Sequence, residues 1–173
     1  ELNGSTDYLS VAGNNDFGFG TGDYTVEGWF YFNSVAAQSI LFDFRAGAGT
    51  DVAPVVLVAA GGSVQFYSYN AFRITGPTIV ANAWYHIAVS RASGTTRLFV
   101  NGASQGTPWV AATDYDVAKP LIIGARWDGA AYSINGYIDE FRVTKGLARY
   151  SANFVAPLSA FVSDNNTKLL LHF

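Results

Sequence analysis

Residues 84–102, "WYHIAVSRASGTTRLFVNG", decide the fold. Two runs rich in β-branched and aromatic residues meet at Ser93-Gly94, where glycine supplies the positive φ that a short hairpin loop needs. Asn101-Gly102 adds a second tight turn of type I′ character, so 84–107 reads as an antiparallel meander of three strands.

The same punctuation recurs outward in both directions. Residues 7–11, 23–32, 39–44, 53–59, 63–69, 71–75, 120–125, 136–144 and 168–173 read as further strands. No stretch of helical length carries a 3.6-residue period, and helix is expected only as one or two turns around 145–150. In 23–32, Tyr24, Val26, Phe30 and Phe32 share one face while Thr25, Glu27, Trp29 and Tyr31 share the other, and neither face is polar. Such a strand belongs in the middle of a two-layer stack whose outer side is partly covered by loops, and Trp29 and Trp84 are assigned to the core. The prediction is an all-β fold: one antiparallel two-sheet β-sandwich of jelly-roll type, formed by residues 1–173 as a single domain. The apolar run 53–62 is core if it is central, and a place to pair with another chain if it lies at an edge.

Composition narrows the class of function. Half of the 173 residues are hydrophobic and 13% are charged, which excludes disorder. No apolar run approaches the roughly 18 residues of a membrane helix, so membrane insertion is not expected. A net charge of -3 with scattered arginines leaves no footprint for nucleic acid. There is no cysteine, and His86 and His172 are far apart, which sets aside thiolate chemistry and zinc. The absence of methionine, the lack of a leader-like start and the apolar ending "KLLLHF" suggest a processed product, or a segment or repeat of a longer chain.

The stretch "GYIDEFRVT", 136–144, raises a chemical question. Alternation places Tyr137, Asp139, Phe141 and Val143 on one face and Ile138, Glu140, Arg142 and Thr144 on the other. Asp139 beside Phe141 and Val143 then needs a cation or several hydrogen-bond donors. One solution is calcium, with Asn3, Ser5 and Asp7 supplying side-chain and backbone oxygens; the other is the backbone amides of that same turn. On either, Asp139 anchors the N-terminal turn, and Arg142 pairs with Glu140 or Glu27.

Glycoside hydrolysis needs two neighbouring carboxylates. Neither Glu27 nor Glu140 has an acid two residues away, adjacent Asp139 and Glu140 point to opposite faces, and His86 reads as a hydrogen-bonded strand histidine, so no catalytic residues are expected. Two loops suit ligand binding instead: 125–136 with Trp127, Asp128, Tyr132 and Asn135, and 107–116 with Trp109, Asp114 and Tyr115. Aromatic faces pack on the C–H faces of sugars while acids and amides meet hydroxyls. The alternative is that Trp109 and Trp127 only cap the ends of the sandwich.

"LNGSTDYLSV", "FGTGDYTVEGWFYF", "WYHIAVSR", "TTRLFVNG", "LIIGA" and "GYIDEFRVTKGLARY" follow in this order. Together, up to about Phe154, they resemble the laminin G-like branch of the concanavalin A-like lectin/glucanase superfamily. The resemblance implies a jelly-roll sandwich of a kind that mostly recognises or adheres, in a superfamily that also includes glycoside hydrolases. It places the N-terminal turn near Asp139, and because such modules often carry calcium, calcium and backbone amides both stay open as the partner of Asp139. The wording of 138–154 is similar to modules of bacteriophage virion proteins and bacterial surface proteins, which implies an extracellular or virion-surface location. The expected partner is a glycan or surface polysaccharide. The alternative is a structural virion or surface-layer module held by neighbouring protein subunits, oligomeric or within a multi-domain assembly. "NNTKLLLHF" looks like the first strand of a following repeat or a strand that closes this one.

Overall fold

A computed structural model describes residues 1–48, 52–115 and 118–173. Among them the strands are β1 (Leu2–Asn3), β2 (Leu9–Val11), β3 (Tyr24–Phe32), β4 (Ser39–Asp43), β5 (Val55–Val58), β6 (Ser63–Ser68), β7 (Ala71–Thr78), β8 (Trp84–Ala92), β9 (Thr95–Val100), β10 (Ala103–Val110), β11 (Leu121–Ile123), β12 (Asn135–Lys145) and β13 (Thr167–Leu171). A seven-stranded sheet runs β1-β12-β3-β8-β9-β10 with β13 also on β12, and a six-stranded sheet runs β2-β11-β4-β5-β6-β7. Tyr24, Val26, Phe30 and Phe32 of the first sheet close the core against Phe42, Val56 and Phe66 of the second.

The meander forms as the turns dictate. Ser93 and Gly94 have φ of 48° and 79°, and Asn101 and Gly102 have 50° and 79°, two positive values in a row at each hairpin. The sheets end at β10 and β7, which carry Pro108 and Pro77 where a missing N–H is tolerated. β5 lies between β4 and β6, so residues 53–58 of the apolar run 53–62 are buried and not at an edge, while Ala60 and Gly61 are exposed in the turn after it.

The expected faces of β12 are wrong beyond residue 139. Asp139 pairs with Trp29 and Arg142 with Glu27, so Glu140 and Phe141 together oppose Gly28 in a β-bulge. Glu140 takes φ 51°, and the inserted residue flips the alternation. Ile138, Phe141 and Val143 therefore enter the core, whereas Asp139, Arg142 and Thr144 lie opposite Trp29, Glu27 and Thr25 on the outer face. Asp139 and Glu140 consequently border one cavity and do not point apart.

The helix expected at 145–150 is absent. Gly146 (φ 81°) ends β12, and residues 146–166 run without regular structure across the outer face of the seven-stranded sheet. This strap stacks Tyr150 on Phe154 at 3.5 Å between ring centroids, and Phe154 covers Phe99 at 5.3 Å. The Trp29 indole donates to the Pro157 carbonyl at 3.2 Å. Trp29 and Trp84 thus belong to the outer face, not to the core, and Trp84 is 43% exposed. β13 then returns to pair with β12, closing this sandwich.

Candidate functional site

On the outer face of the six-stranded sheet, buried Ile40, Val55 and Leu57 form an apolar floor with Tyr67 packed against it. Above this floor lies a groove of about 240 Å³ walled by Tyr67, Phe72, Trp127, Tyr132, Arg45, Arg126 and Gln38. Phe72 and Tyr132 are exposed. The Arg126 guanidinium sits 5.8 Å from the Trp127 ring and 5.5 Å from the Tyr132 ring, and Arg45 sits 5.4 Å from Tyr67, so each cation lies on an aromatic wall.

Local sequence explains how the loop after β11 is held. The Gly129 amide closes a turn onto the Arg126 carbonyl at 2.7 Å, with Gly129 at φ 68°. Asp128 Oδ1 accepts from the Ala130 amide and from Arg126 Nε. The hydrogen bond from Arg126 pulls the Asp128 carboxyl down to about 2, so this pair stays ionised through ordinary pH. The Ile40 amide donates to the Tyr132 carbonyl at 2.8 Å, tying the loop to β4. Beneath the groove, buried Asp43 accepts from Arg45 and from the Trp127 amide, a role that sequence spacing does not reveal.

Of the residues expected to bind ligand, the structure brings Trp127 and Tyr132 together in the groove, with Asp128 behind them on Arg126. Asn135 lies in β12, where it accepts from Asn33 at 2.8 Å. Trp109 belongs to β10 and not to a loop; it packs on Phe66, with Arg73 5.0 Å from its ring centre. Tyr115 is buried and bonded to Ser68 at 2.7 Å, which removes it from any surface site. Asp114 is exposed beside a cavity with Tyr69 and Thr113, and Asp116 lies outside the described residues.

The donors expected for calcium do not converge. Asn3 Oδ1 accepts the amides of Ser5, Thr6 and Asp7, and Asp7 accepts the Asn3 amide, a self-contained turn. Asp139 accepts instead from Glu140 and Phe173, so it anchors the last residues and not the N-terminal turn. That turn is fixed by the Gly4 amide on the Ile134 carbonyl and by the Ser133 hydroxyl on the Ser5 carbonyl. Among the described residues, no three His, Asp or Glu side chains group where a metal ion could be held.

Glu27 sits sealed under the strap. Arg142 donates to its Oε1 at 2.6 and 2.9 Å, while Oε2 takes the Tyr150 hydroxyl at 2.7 Å and lies 3.1 Å from His86 Nε2. Burial opposes ionisation, yet the hydrogen bond from His86 and the charge of Arg142 outweigh it, and the carboxyl lies below the usual glutamate range. The Arg142–Glu27 pair left open by the sequence is the one formed.

Comparison with known proteins agrees with this architecture. Among solved structures, a Bacteroides ovatus protein to which carbohydrate binding has been ascribed matches 99% of the chain at TM-score 0.73 and 16% identity. The LG4-5 domains of the mouse laminin alpha1 chain match 88% at 0.61 and 16% identity. This chain spans 50% and 44% of the length of those two. The CBM40 module of the Ruminococcus gnavus IT-sialidase, solved with α2,3-sialyllactose, matches 86% of the chain, covering 95% of that module, at 0.59 and 16% identity. No curated protein matches the chain. Residues 3–148 match the laminin G model described as concanavalin A-like lectin/glucanases superfamily, and the chain belongs to that laminin G-like family.

Proposed function

We propose that the domain is a non-catalytic carbohydrate-recognition module whose glycan lies in the groove over the six-stranded sheet. The observation that carries this reading is the meeting of Trp127 and Tyr132 with Tyr67 and Phe72 around one groove. Such rings stack on sugar C–H faces, and Arg45 and Arg126 keep N–H donors beyond those used by Asp43 and Asp128. The ligand class is supported by the carbohydrate binding ascribed to the Bacteroides ovatus protein and by the sialyllactose complex of the CBM40 module. The absence of catalysis is supported by the carboxylates: Glu27 is sealed beneath Tyr150 and Glu140 is engaged at both oxygens, which leaves Asp139 without a second free carboxylate beside it. In this reading the module works outside the cell or on a virion surface.

The test is binding of the purified domain and of Trp127→Ala to a broad glycan panel, with calcium and again with chelator. Hits that vanish in the variant are expected. Hits retained at full strength by a folded Trp127→Ala would remove the groove from the reading, and chelator-sensitive hits would return calcium to it. Protein assembly is a second reading, favoured by Val155, Leu158 and Val162 on the strap, which are 89%, 91% and 77% exposed. Sedimentation at high concentration tests it: a monomer throughout argues against self-assembly.

A further inference from the structure

Across the sandwich from the groove, a cavity of about 390 Å³ opens on the outer face of the seven-stranded sheet. Trp29 and Trp84 line it from the sheet, Pro157 and Leu158 from the strap, and Asp139 and Glu140 from the bulge. Asp139 is the direct cross-strand neighbour of Trp29, whose own partner on β8 is His86, and Trp84 lies two residues along β8 from His86. Without the extra residue at 140, Asp139 would not share a face with Arg142 and Thr144; the bulge delivers a carboxylate to a tryptophan wall.

The valences are unequal. Glu140 is engaged at both oxygens, by His172 Nδ1 at 2.6 Å and by the Phe161 amide. Asp139 Oδ1 takes the Glu140 and Phe173 amides at 2.8 and 3.1 Å, whereas Oδ2 accepts no hydrogen bond among the described residues. Among the described residues the lining includes no lysine or arginine. The faces of the indole rings carry negative potential, so rings and carboxylates act in the same sense on an occupant. A neutral sugar would leave that field unused, and a bare metal ion would find too few oxygens.

We infer that this cavity binds an organic ammonium ion, a protonated or methylated amine carrying C–H groups, with Trp84 as the ring wall and Asp139 Oδ2 as the counter-charge. Trp29 is held by its hydrogen bond to Pro157 and forms the fixed side. The site is separate from the groove and does not depend on the glycan reading.

Tetramethylammonium chloride is the probe, tert-butanol its neutral counterpart and sodium chloride the control for ionic strength. The readout is the indole N–H resonances of Trp29 and Trp84 in the labelled domain. A saturable shift in roughly the millimolar range is expected with tetramethylammonium alone, weakened about tenfold or more by Trp84→Ala and by Asp139→Asn. Trp127→Ala should bind the probe as the wild type does. Because Trp84 is partly exposed, its replacement should leave the melting temperature nearly unchanged, and Trp84→Lys, which sets a like charge at the mouth, is the second variant. Equal shifts with tert-butanol, no shift at about 100 mM probe, or full binding by folded Trp84→Ala each overturn the site.

Discussion

Asp43 and Trp127 are 84 residues apart, yet the Trp127 amide donates to Asp43 Oδ2 at 3.1 Å. The same oxygen holds Arg45 Nη2 at 2.6 Å, so one buried carboxylate positions two walls of the groove. Asp43→Ala should cost about 3 kcal/mol, because it strands Arg45 and a backbone amide, and should also weaken glycan binding. Asp43→Asn keeps one acceptor and should cost less. Chemical denaturation of both variants checks the order.

Tyr132 tests the groove with little structural consequence. Its ring is exposed, so Tyr132→Ala should change stability by less than about 1 kcal/mol. Loss of one stacking face should weaken a glycan hit about tenfold, a difference of about 1.4 kcal/mol. Titration of the strongest hit against both proteins gives the ratio.

Glu27 governs the response to acid. Its carboxyl is depressed below the ordinary 4.5, so its contribution to stability is complete above that value and is lost as pH falls through the lower, folded value. Melting temperature should therefore drop below about pH 4.5, and Glu27→Gln should flatten that part of the curve. At neutral pH, Glu27→Ala should cost about 3–5 kcal/mol by leaving Arg142 unpaired beneath the strap. An acid profile identical in Glu27→Gln and wild type would contradict this role.

Gly102 seats the strap. Its φ is 79°, its carbonyl accepts the Phe154 amide at 2.9 Å, and a Cβ there would run into the Phe154 carbonyl. Gly102→Ala should destabilise by about 1–3 kcal/mol, with added exposure of Phe99 and Phe154 that a hydrophobic dye would report.

Strand order in the meander and the two-faced character of β3 were legible because side-chain alternation and Asn-Gly chemistry are local signals. The bulge was not, since nothing in "IDEF" marks glutamate for a positive φ, and one extra residue reverses every face assignment on one side of it. The reading of Asp139 as the anchor of the N-terminal turn failed for that reason. Trp127 and Tyr132 stood out because they flank Asp128-Gly129. Tyr67 and Phe72 come from β6 and β7 and Arg45 from just after β4, and they join the loop only through sheet order, which spacing does not encode. Trp29 and Trp84 were misjudged because a strand position says nothing about which layer covers its second face.

The central place of β3 has a consequence for synthesis. Glu27 waits for Arg142, 115 residues later, and Thr25 for Arg149, 124 residues later. At about 5–20 residues per second, on the order of ten seconds pass before those partners leave the ribosome. Until then β3 has only the meander on one flank, and its other edge and the outer face that the strap will cover are open to the wrong neighbour. The seven-stranded sheet is thus the last part of the molecule to be completed, and the interval before β12 arrives is when the nascent chain is most exposed to aggregation.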